Sequence, residues 1–413
     1  MHNGSSQVPY RLETAVPAVV VQLTRNGLAH GALGICRSLG RRGIPVTLAT
    51  NVRHSAQAMT RYARTLPWTA DPRVDSDAAL VAHLLTAAEN FGVRPVLYAT
   101  DDVTALICAE YRQELLPAYR LAPVPHCGAR TLADKMQLSA LAAAAGVPTP
   151  ATYAIVDRGH AQTVAASLGH PFVVKAADPA LLVRSGAGRS VSVMHDAHAW
   201  QAFLSSVEED RWTNILLQEY VPGGADSLRM FCGYLDAQGT KLFAGVATKL
   251  GQQPPRGGET TLCVIENESV VHELADSVLS RAGYAGPVDM DFRWDARNGT
   301  HRLLDVNVRL GANARAFAAS DGWDAACTMY ADLTGQPPRD SSPAPSRTWV
   351  VENSDLASRC SESRASRAES GRTLRGWFSA VRQSDERAWA SVDDPLPALA
   401  MAARTIAGLR RGH

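Results

Sequence analysis

The chain has almost no net charge. Its 41 Lys and Arg stand against 40 Asp and Glu, leaving +1 over 413 residues. No broad field of one sign would draw it to nucleic acid or to an anionic membrane. It also lacks any stretch near the roughly 20 apolar residues that a membrane helix needs. The N-terminal run MHNGSSQVPYRLET has no apolar core, so no signal peptide is expected. CxxC is missing. The seven cysteines (Cys36, Cys108, Cys127, Cys232, Cys263, Cys327 and Cys360) are dispersed and odd in number. That pattern suggests neither a zinc site nor a disulfide framework, and it fits a reducing cytoplasm. A glycine fingerprint GxGxxG is absent too. The loop after the first apolar run offers only Gly27, Gly31 and Gly34, which argues against a dinucleotide site there.

What is present is a soluble, globular composition: 46% apolar and 20% charged residues. A chain of 413 residues exceeds what one core usually serves, so two or three domains or subdomains are expected. PAVVVQL (17–23) reads as a buried parallel strand, ALGICRSLGRRG as a helix ending at Gly43, and IPVTLAT as a second strand. This βαβ opening implies an α/β, doubly wound sheet. From Thr131 the texture changes. TLADKMQLSALAAAAG is helical, GHPFVVKAAD puts Lys175 at the end of a buried strand, and LLVRSGAGRSVSVM reads as a hairpin with a glycine-rich tip. NILLQEYVPGGADSLRMFCGYLD runs from strand through turn to strand. SVVHELADSVLSRAG is an amphipathic helix, and NARAFAASDGWDAACTMYADLTG reads as a further helix. Strands followed by helices in this order suggest α+β after the opening domain. Residues 337–372, rich in Pro, Ser and Arg, read as a connection, with TWVVEN inside it a candidate strand.

The chemistry concentrates in PVDMDFRWDARNGTHRLLDVNVR. Two strands around an Asn-Gly turn put Asp289 and Asp291 on one, Asp305 and Asn307 on the other. Because the side-chain period is two, each pair points to one face. If Asp291 lies opposite Asp305, all four share that face. Close carboxylates repel one another, and a divalent cation removes the conflict. Oxygen donors without His or Cys suit a hard ion such as Mg²⁺. The plainer reading is a solvated strand face, or carboxylates paired with Arg293 and Arg309. Lys135, Lys175 and Lys249 add cations able to meet phosphate, and RSGAG (184–188) backbone N–H groups that could lie over it. Singly, each is also an ordinary lysine or turn.

Taken in order, DKMQLSALAAAAGVPTP, PFVVKAAD, LLQEYVPGG, ATKLGQQPPRGGETT and PVDMDFRWDARNGTHRLLDVNVR resemble ATP-grasp enzymes. The nearest likeness is to the carboxylate–amine ligase branch, related to D-aspartate ligases and the carbamoyl-phosphate synthase fold. It runs from near Val19 to about Gly335, and WASVDDPLPAL resembles the tail of some members. The single motifs are loose; five in the right order are specific. The resemblance implies an α/β Rossmann-like domain (residues 1–125) before a two-lobed α+β ATP-grasp fold. The small lobe would be 126–221, the large lobe with the metal site 222–336, and a linker with a C-terminal extension 337–413.

By the same resemblance Lys135 and Lys175 contact phosphates. Gln218, Glu219, Tyr220 and Val221 bind adenine, Asp226 the ribose, and Lys249 faces the triphosphate. Asp291, Asp305 and Asn307 hold Mg²⁺, with Mn²⁺ an alternative, and Arg309 receives the transferred phosphoryl group or its product. Three positions depart from the family: Asp305 replaces Glu, Val308 replaces Pro, and Gly251 stands where relatives carry a basic residue. The implied activity is ATP-dependent amide or peptide bond formation through an acyl phosphate, releasing ADP and phosphate. Kinase-type phosphoryl transfer and a non-catalytic nucleotide-binding protein are the alternatives. The implied substrates are a small carboxylate and an amine, an amino acid or short peptide; a homodimer is the base-rate assembly. GQQPPRGGETT (251–261), polar and rich in Gly and Pro, is expected to be a lid over the phosphates, with Arg256 open to trypsin.

Overall fold

The computed structural model describes residues 12–23, 26–52, 54–177, 191–255, 257–337, 339, 341–361 and 373–411. Three sheets organise them. The first holds β1 (Ala18–Gln22), β2 (Val46–Thr50), β3 (Arg64–Pro67) and β4 (Val96–Ala99), all parallel, in the order β3-β2-β1-β4. Every side chain of β1 is buried, because both faces are covered. Ala18 and Val20 pack under α1 (His30–Gly40). Val19 and Val21 pack with Leu80 and Leu84 of α2 (Asp77–Ala88) and with Val103 and Ile107 of α3 (Asp102–Glu110).

The second sheet is antiparallel, in the order β5-β8-β6-β7: β5 (Thr152–Ala154), β6 (Phe172–Ala176), β7 (Val191–Met194) and β8 (Ile215–Glu219). The alanine-rich segment before it is two helices rather than one, His126–Ala133 and Lys135–Ala144. Asp134 divides them: its backbone is extended, and its carboxylate accepts from the backbone N–H groups of Met136 and Gln137.

The third sheet has seven strands, β13-β12-β9-β10-β11-β14-β15. These are β9 (Leu228–Leu235), β10 (Lys241–Gln253), β11 (Glu259–Glu266), β12 (Gly286–Asp295), β13 (Thr300–Asn307), β14 (Thr348–Val350) and β15 (Glu386–Arg387). One face packs Phe231, Val246, Val288, Met290 and Val306 against the helix Ser269–Arg281. Part of the other face, Cys232, Tyr234, Ala247 and Cys263, shares a core with α1 and the first sheet.

The structure differs from the sequence expectation in three further places. First, the 251–261 segment is mostly strand. β10 runs on to Gln253 and β11 begins at Glu259, with Gln252 opposite Thr260. Partners distant in sequence hold it, since Ser358 Oγ donates to the Gln252 carbonyl and Thr261 Oγ1 to Asp355. Only the tip between β10 and β11 remains of the expected lid, and Arg256 lies outside the described residues. Second, the segment 313–333 is a 3₁₀ turn (Ala314–Phe317) and a helix (Ala325–Leu333). Gly322, at φ +80°, breaks the path, and Asp324 caps the new helix by accepting from the Cys327 N–H. Third, the Pro/Ser/Arg-rich region is more than a connection: besides the candidate strand, which forms as β14 antiparallel to β11, it carries the helix Glu352–Ser361.

The chain after Gln383 returns to the first sheet. β15 pairs with β14, and Asp393 and Asp394 then reach Arg37, Arg41, Thr60 and Tyr62. This C-terminal clasp binds α1 to the large sheet. Among the described residues no helix is long and apolar enough to cross a membrane.

Candidate functional site

Strand register decides where the charges stand. β12 and β13 pair so that Asp289 faces Asn307 and Asp291 faces Asp305. Val288, Met290 and Phe292 are buried in the core below, so Asp289, Asp291 and Arg293 point the other way. A register shift after Asp291 leaves Leu303 and Val306 in that core while Asp305 and Asn307 face the carboxylates. The neighbouring strands add Met230 and Lys249 to the same face. Where the core under α1 stops covering this face, a cleft of about 540 Å³ opens, roofed by β6, β7 and β8.

Lys175, Gln218, Glu219, Tyr220, Val221, Lys249, Asp291, Asp305, Asn307 and Arg309 all line that cleft. Two expected residues do not. Lys135 approaches from behind: it ion-pairs with Asp305 and lines a smaller cavity with Asp102 and Asn307. Asp226 is exposed in the turn Ala225–Ser227, outside the lining, so its place does not support the ribose contact that the resemblance implies. Arg293 fixes this turn by donating to the Gly223 carbonyl at 3.0 Å. The RSGAG tip lies outside the described residues.

The charges are held pairwise. Lys249 Nζ stands 2.9 Å from Asp291 Oδ1. Lys175 Nζ crosses from β6 to donate to the Leu304 carbonyl at 3.0 Å. Burial lowers the Lys175 pKa to about 8, against the pull of Asp305. Burial would raise Asp305, but Lys135 and Lys175 outweigh it and hold the carboxyl below its ordinary value. For Asp289 the balance goes the other way: burial, then the Asp291 charge, push it up to about 7 against the weaker pull of Arg309 and Lys249. Burial opposes the Arg309 charge too, yet Asp102 and Asp289 more than compensate, and Arg309 Nε donates to Asp102 Oδ1 at 2.7 Å. The Glu219 carboxylate is taken by Arg297 and Arg302, at 2.7 and 2.8 Å.

No three His, Cys, Asp or Glu side chains among the described residues converge on one point. Asp291 and Asp305 are each turned to a lysine instead. The cleft also brings in Gln252 and Glu259, from the segment expected as a lid, and Asn313, which no sequence motif assigned to it. Asp289 carried a signal, its i, i+2 spacing from Asp291. Asn313 carried none, since its position depends on where a distant turn is folded.

No family model matches the chain. It is 18% identical to the D-aspartate ligase of Enterococcus faecium (strain Aus0004) over 270 residues. That alignment spans 62% of this chain and 64% of the ligase, in each case less than two thirds. Solved structures match more of it. An N5-carboxyaminoimidazole ribonucleotide synthetase in complex with ADP superposes with a TM-score of 0.59 at 12% identity, over 83% of this chain and 82% of that one. The L-amino acid ligase of Bacillus licheniformis gives 0.56 at 15% identity, over 82% and 79%. The biotin carboxylase of Campylobacter jejuni, solved with an ATP analogue, gives 0.56 at 15%, over 81% and 75%. At these identities the likeness is one of architecture, and it agrees with the five ordered motifs: the chain has the ATP-grasp fold.

Proposed function

We propose that the chain is an ATP-dependent carboxylate–amine ligase. One observation carries the reading: a single cleft joins the strand end Gln218–Val221 to Lys175, Lys249, Arg309 and the Asp/Asn face. Val173, Val193, Leu228 and Met230 give the hinge end apolar walls suited to a purine. The lysines stand further in, where a triphosphate would extend. The D-aspartate ligase and the L-amino acid ligase named above lend the substrate class: a small carboxylate and an amine, an amino acid or short peptide.

The donor set fits a hard divalent ion. Asp291, Asp305 and Asn307 can supply oxygen donors, on facing strands, and Asp289 stands half-buried beside them. Mg²⁺, or Mn²⁺ in its place, would neutralise charge on the phosphates. Lys135 and Lys249 hold the two carboxylates meanwhile, and Lys249 and Lys175 are placed to turn to phosphate oxygens. Arg309, half-buried and anchored by Asp102, faces the transferred group and balances the charge that develops there. The acceptor carboxylate takes the terminal phosphoryl group from ATP, leaving ADP. The amine then attacks the acyl carbon, the C–O bond to phosphate breaks, the amide forms and the amine's proton departs.

On this reading residues 1–125 form a Rossmann-like domain beside the acceptor end of the cleft. Residues 126–221 and 222–336 are the two lobes that hold ATP, and 337–413 the extension that ties them to the first domain. We place the protein in the cytoplasm, as a homodimer. A matrix of carboxylates and amines, screened for ADP release with mass spectrometry of the hits, tests the function. Stoichiometric ADP and phosphate are expected, with hydroxamate when hydroxylamine replaces the amine. AMP and pyrophosphate as products would overturn the assignment, and ADP without hydroxamate would favour a kinase.

A further inference from the structure

Asn313 lines the cleft and is held there by two distant parts of the chain at once. It follows Arg309 by four residues, in the turn after β13. Its Oδ1 accepts from Trp349 Nε1 of β14 at 3.2 Å and lies 3.2 Å from His30 Nε2 at the start of α1. An indole nitrogen only donates, so the atom facing Trp349 has to be the amide oxygen. With that oxygen fixed, His30 can approach it only as an Nε2–H donor. The remaining end of the amide is then also fixed. Asn313 Nδ2 makes no hydrogen bond among the described residues, while Asn313 lines the cleft with Arg309 and Ala312. The close seating of α1 on this turn leaves little freedom. A Cβ added at Gly31 would lie 2.8 Å from Ala312 Cα.

We propose that Asn313 is a specificity-determining residue, its amide N–H groups donating to an oxygen of the acceptor carboxylate beside Arg309, and that Trp349 and His30 orient it. The inference rests on the ligase reading above. It supplies what that reading lacks, a neutral donor that complements the guanidinium, so that the two oxygens of one carboxylate meet two different donors. It also gives the C-terminal extension a part in the site. Trp349 belongs to that extension and acts through Asn313 as a positioning residue; it does not touch substrate. An amide whose oxygen is already engaged selects against a substrate that offers a donor at that point, because two N–H groups would face each other.

The test uses the full chain with MgATP, hydroxylamine as a general amine, and the twenty L-amino acids and D-aspartate as carboxylates. Hydroxamate and phosphate are followed for wild type, Asn313→Asp and Asn313→Ala. Asn313→Asp keeps size and the bond to Trp349 but turns a second acceptor toward the carboxylate. The expected result is a KM for the acceptor raised about tenfold or more in Asn313→Asp and less in Asn313→Ala, with the KM for ATP within about twofold. Trp349→Phe, which removes the N–H, is expected to raise the same KM in the wild-type background and to have no further effect on Asn313→Ala. An unchanged acceptor KM in Asn313→Asp overturns the proposal and leaves the ligase reading standing. Equal effects of Trp349→Phe in both backgrounds overturn the positioning role even if Asn313 itself matters. If wild type activates none of these carboxylates, the reading and the inference built on it both fall.

Discussion

Arg37 and Lys175 are both cations nearly sealed from water, 2% and 8% exposed. Arg37, in the clasp, donates to Asp394 Oδ2 at 2.9 Å and to the carbonyls of Ala388, Trp389 and Asp394. Lys175, in the cleft, donates to one carbonyl among the described residues, that of Leu304. Around Arg37 the partners are complete: Asp394 also accepts from Thr60 Oγ1 and the Arg61 N–H. Around Lys175 they are not, and its pKa is lowered by burial that nothing fully offsets. A buried charge costs free energy unless it is paired and hydrogen-bonded. A fold that leaves such a charge short of partners in an open cleft, yet completes it elsewhere, marks where a ligand would finish the pairing. The clasp is charge chemistry used for structure. The cleft is the same chemistry held ready.

The sharpest break of this contrast is Arg37→Met. Removing one partner of a buried pair leaves the other uncompensated, at a cost of about 3–5 kcal/mol. Urea unfolding should show a loss of that order, while nucleotide affinity per folded molecule stays within about twofold. A variant as stable as wild type would mean the clasp does not hold the fold. The reverse pattern is expected in the cleft. Asp305→Asn and Asn307→Ala should lower turnover by about 100-fold or more, as a loss of transition-state charge stabilisation does. Their unfolding midpoints should stay near that of wild type. The amide introduced by Asp305→Asn still offers Lys135 an oxygen, and Asn307 bonds only weakly, to Asp289 at 3.4 Å. Full turnover at saturating Mg²⁺ would remove both residues from the site. Unfolding of both would move them to the structural side of the contrast.

The cleft was more legible in the sequence than the clasp, for a physical reason. The facing of Asp291 and Asp305 follows from strand periodicity and a two-strand hairpin, both local, and the register observed is the one expected. Lys175 closes a strand whose apolar run is written in consecutive letters. The clasp joins Arg37 to Asp394 across 357 positions, and no local pattern announces such a pair. The 251–261 segment misled for the same reason: its glycines, prolines and glutamines read as an unanchored loop, yet its anchors, Asp355 and Ser358, lie about a hundred residues away. The split of the 313–333 helix was partly written, in Gly322 and in Asp324 as a cap. Asn313 shows the limit most clearly. The oxygen of its amide is fixed by Trp349 and His30, and only the folded chain brings the three together.

The smallest expected effect separates the regions by the sign of their pH dependence. In the clasp, Asp393 accepts from Arg41 Nε at 2.9 Å and from the Tyr62 hydroxyl at 2.7 Å. The Arg41 hydrogen bond lowers its pKa first of all, Ser391 and Tyr62 lower it further, and burial works against them. A carboxyl lowered in the folded state contributes stability above its unfolded pKa, about 4. That contribution is lost as pH falls through the lower folded value, because the unfolded chain takes up the proton first. Asp289 in the cleft has the opposite sign. Its pKa of about 7, set by burial, means the folded state holds a proton that the unfolded state has released, so stability is lost as pH rises from about 4 to about 7. Asp393 is 43% exposed, so solvent screens its pair and the effect is small. The measurement is the urea midpoint of wild type and Asp393→Asn at pH 7, 5 and 3. The variant should be slightly the less stable at pH 7 and 5, and the gap should narrow at pH 3. A gap that is the same at all three values would show that the Asp393 charge contributes nothing, and that the clasp depends on Arg37 and Asp394 alone.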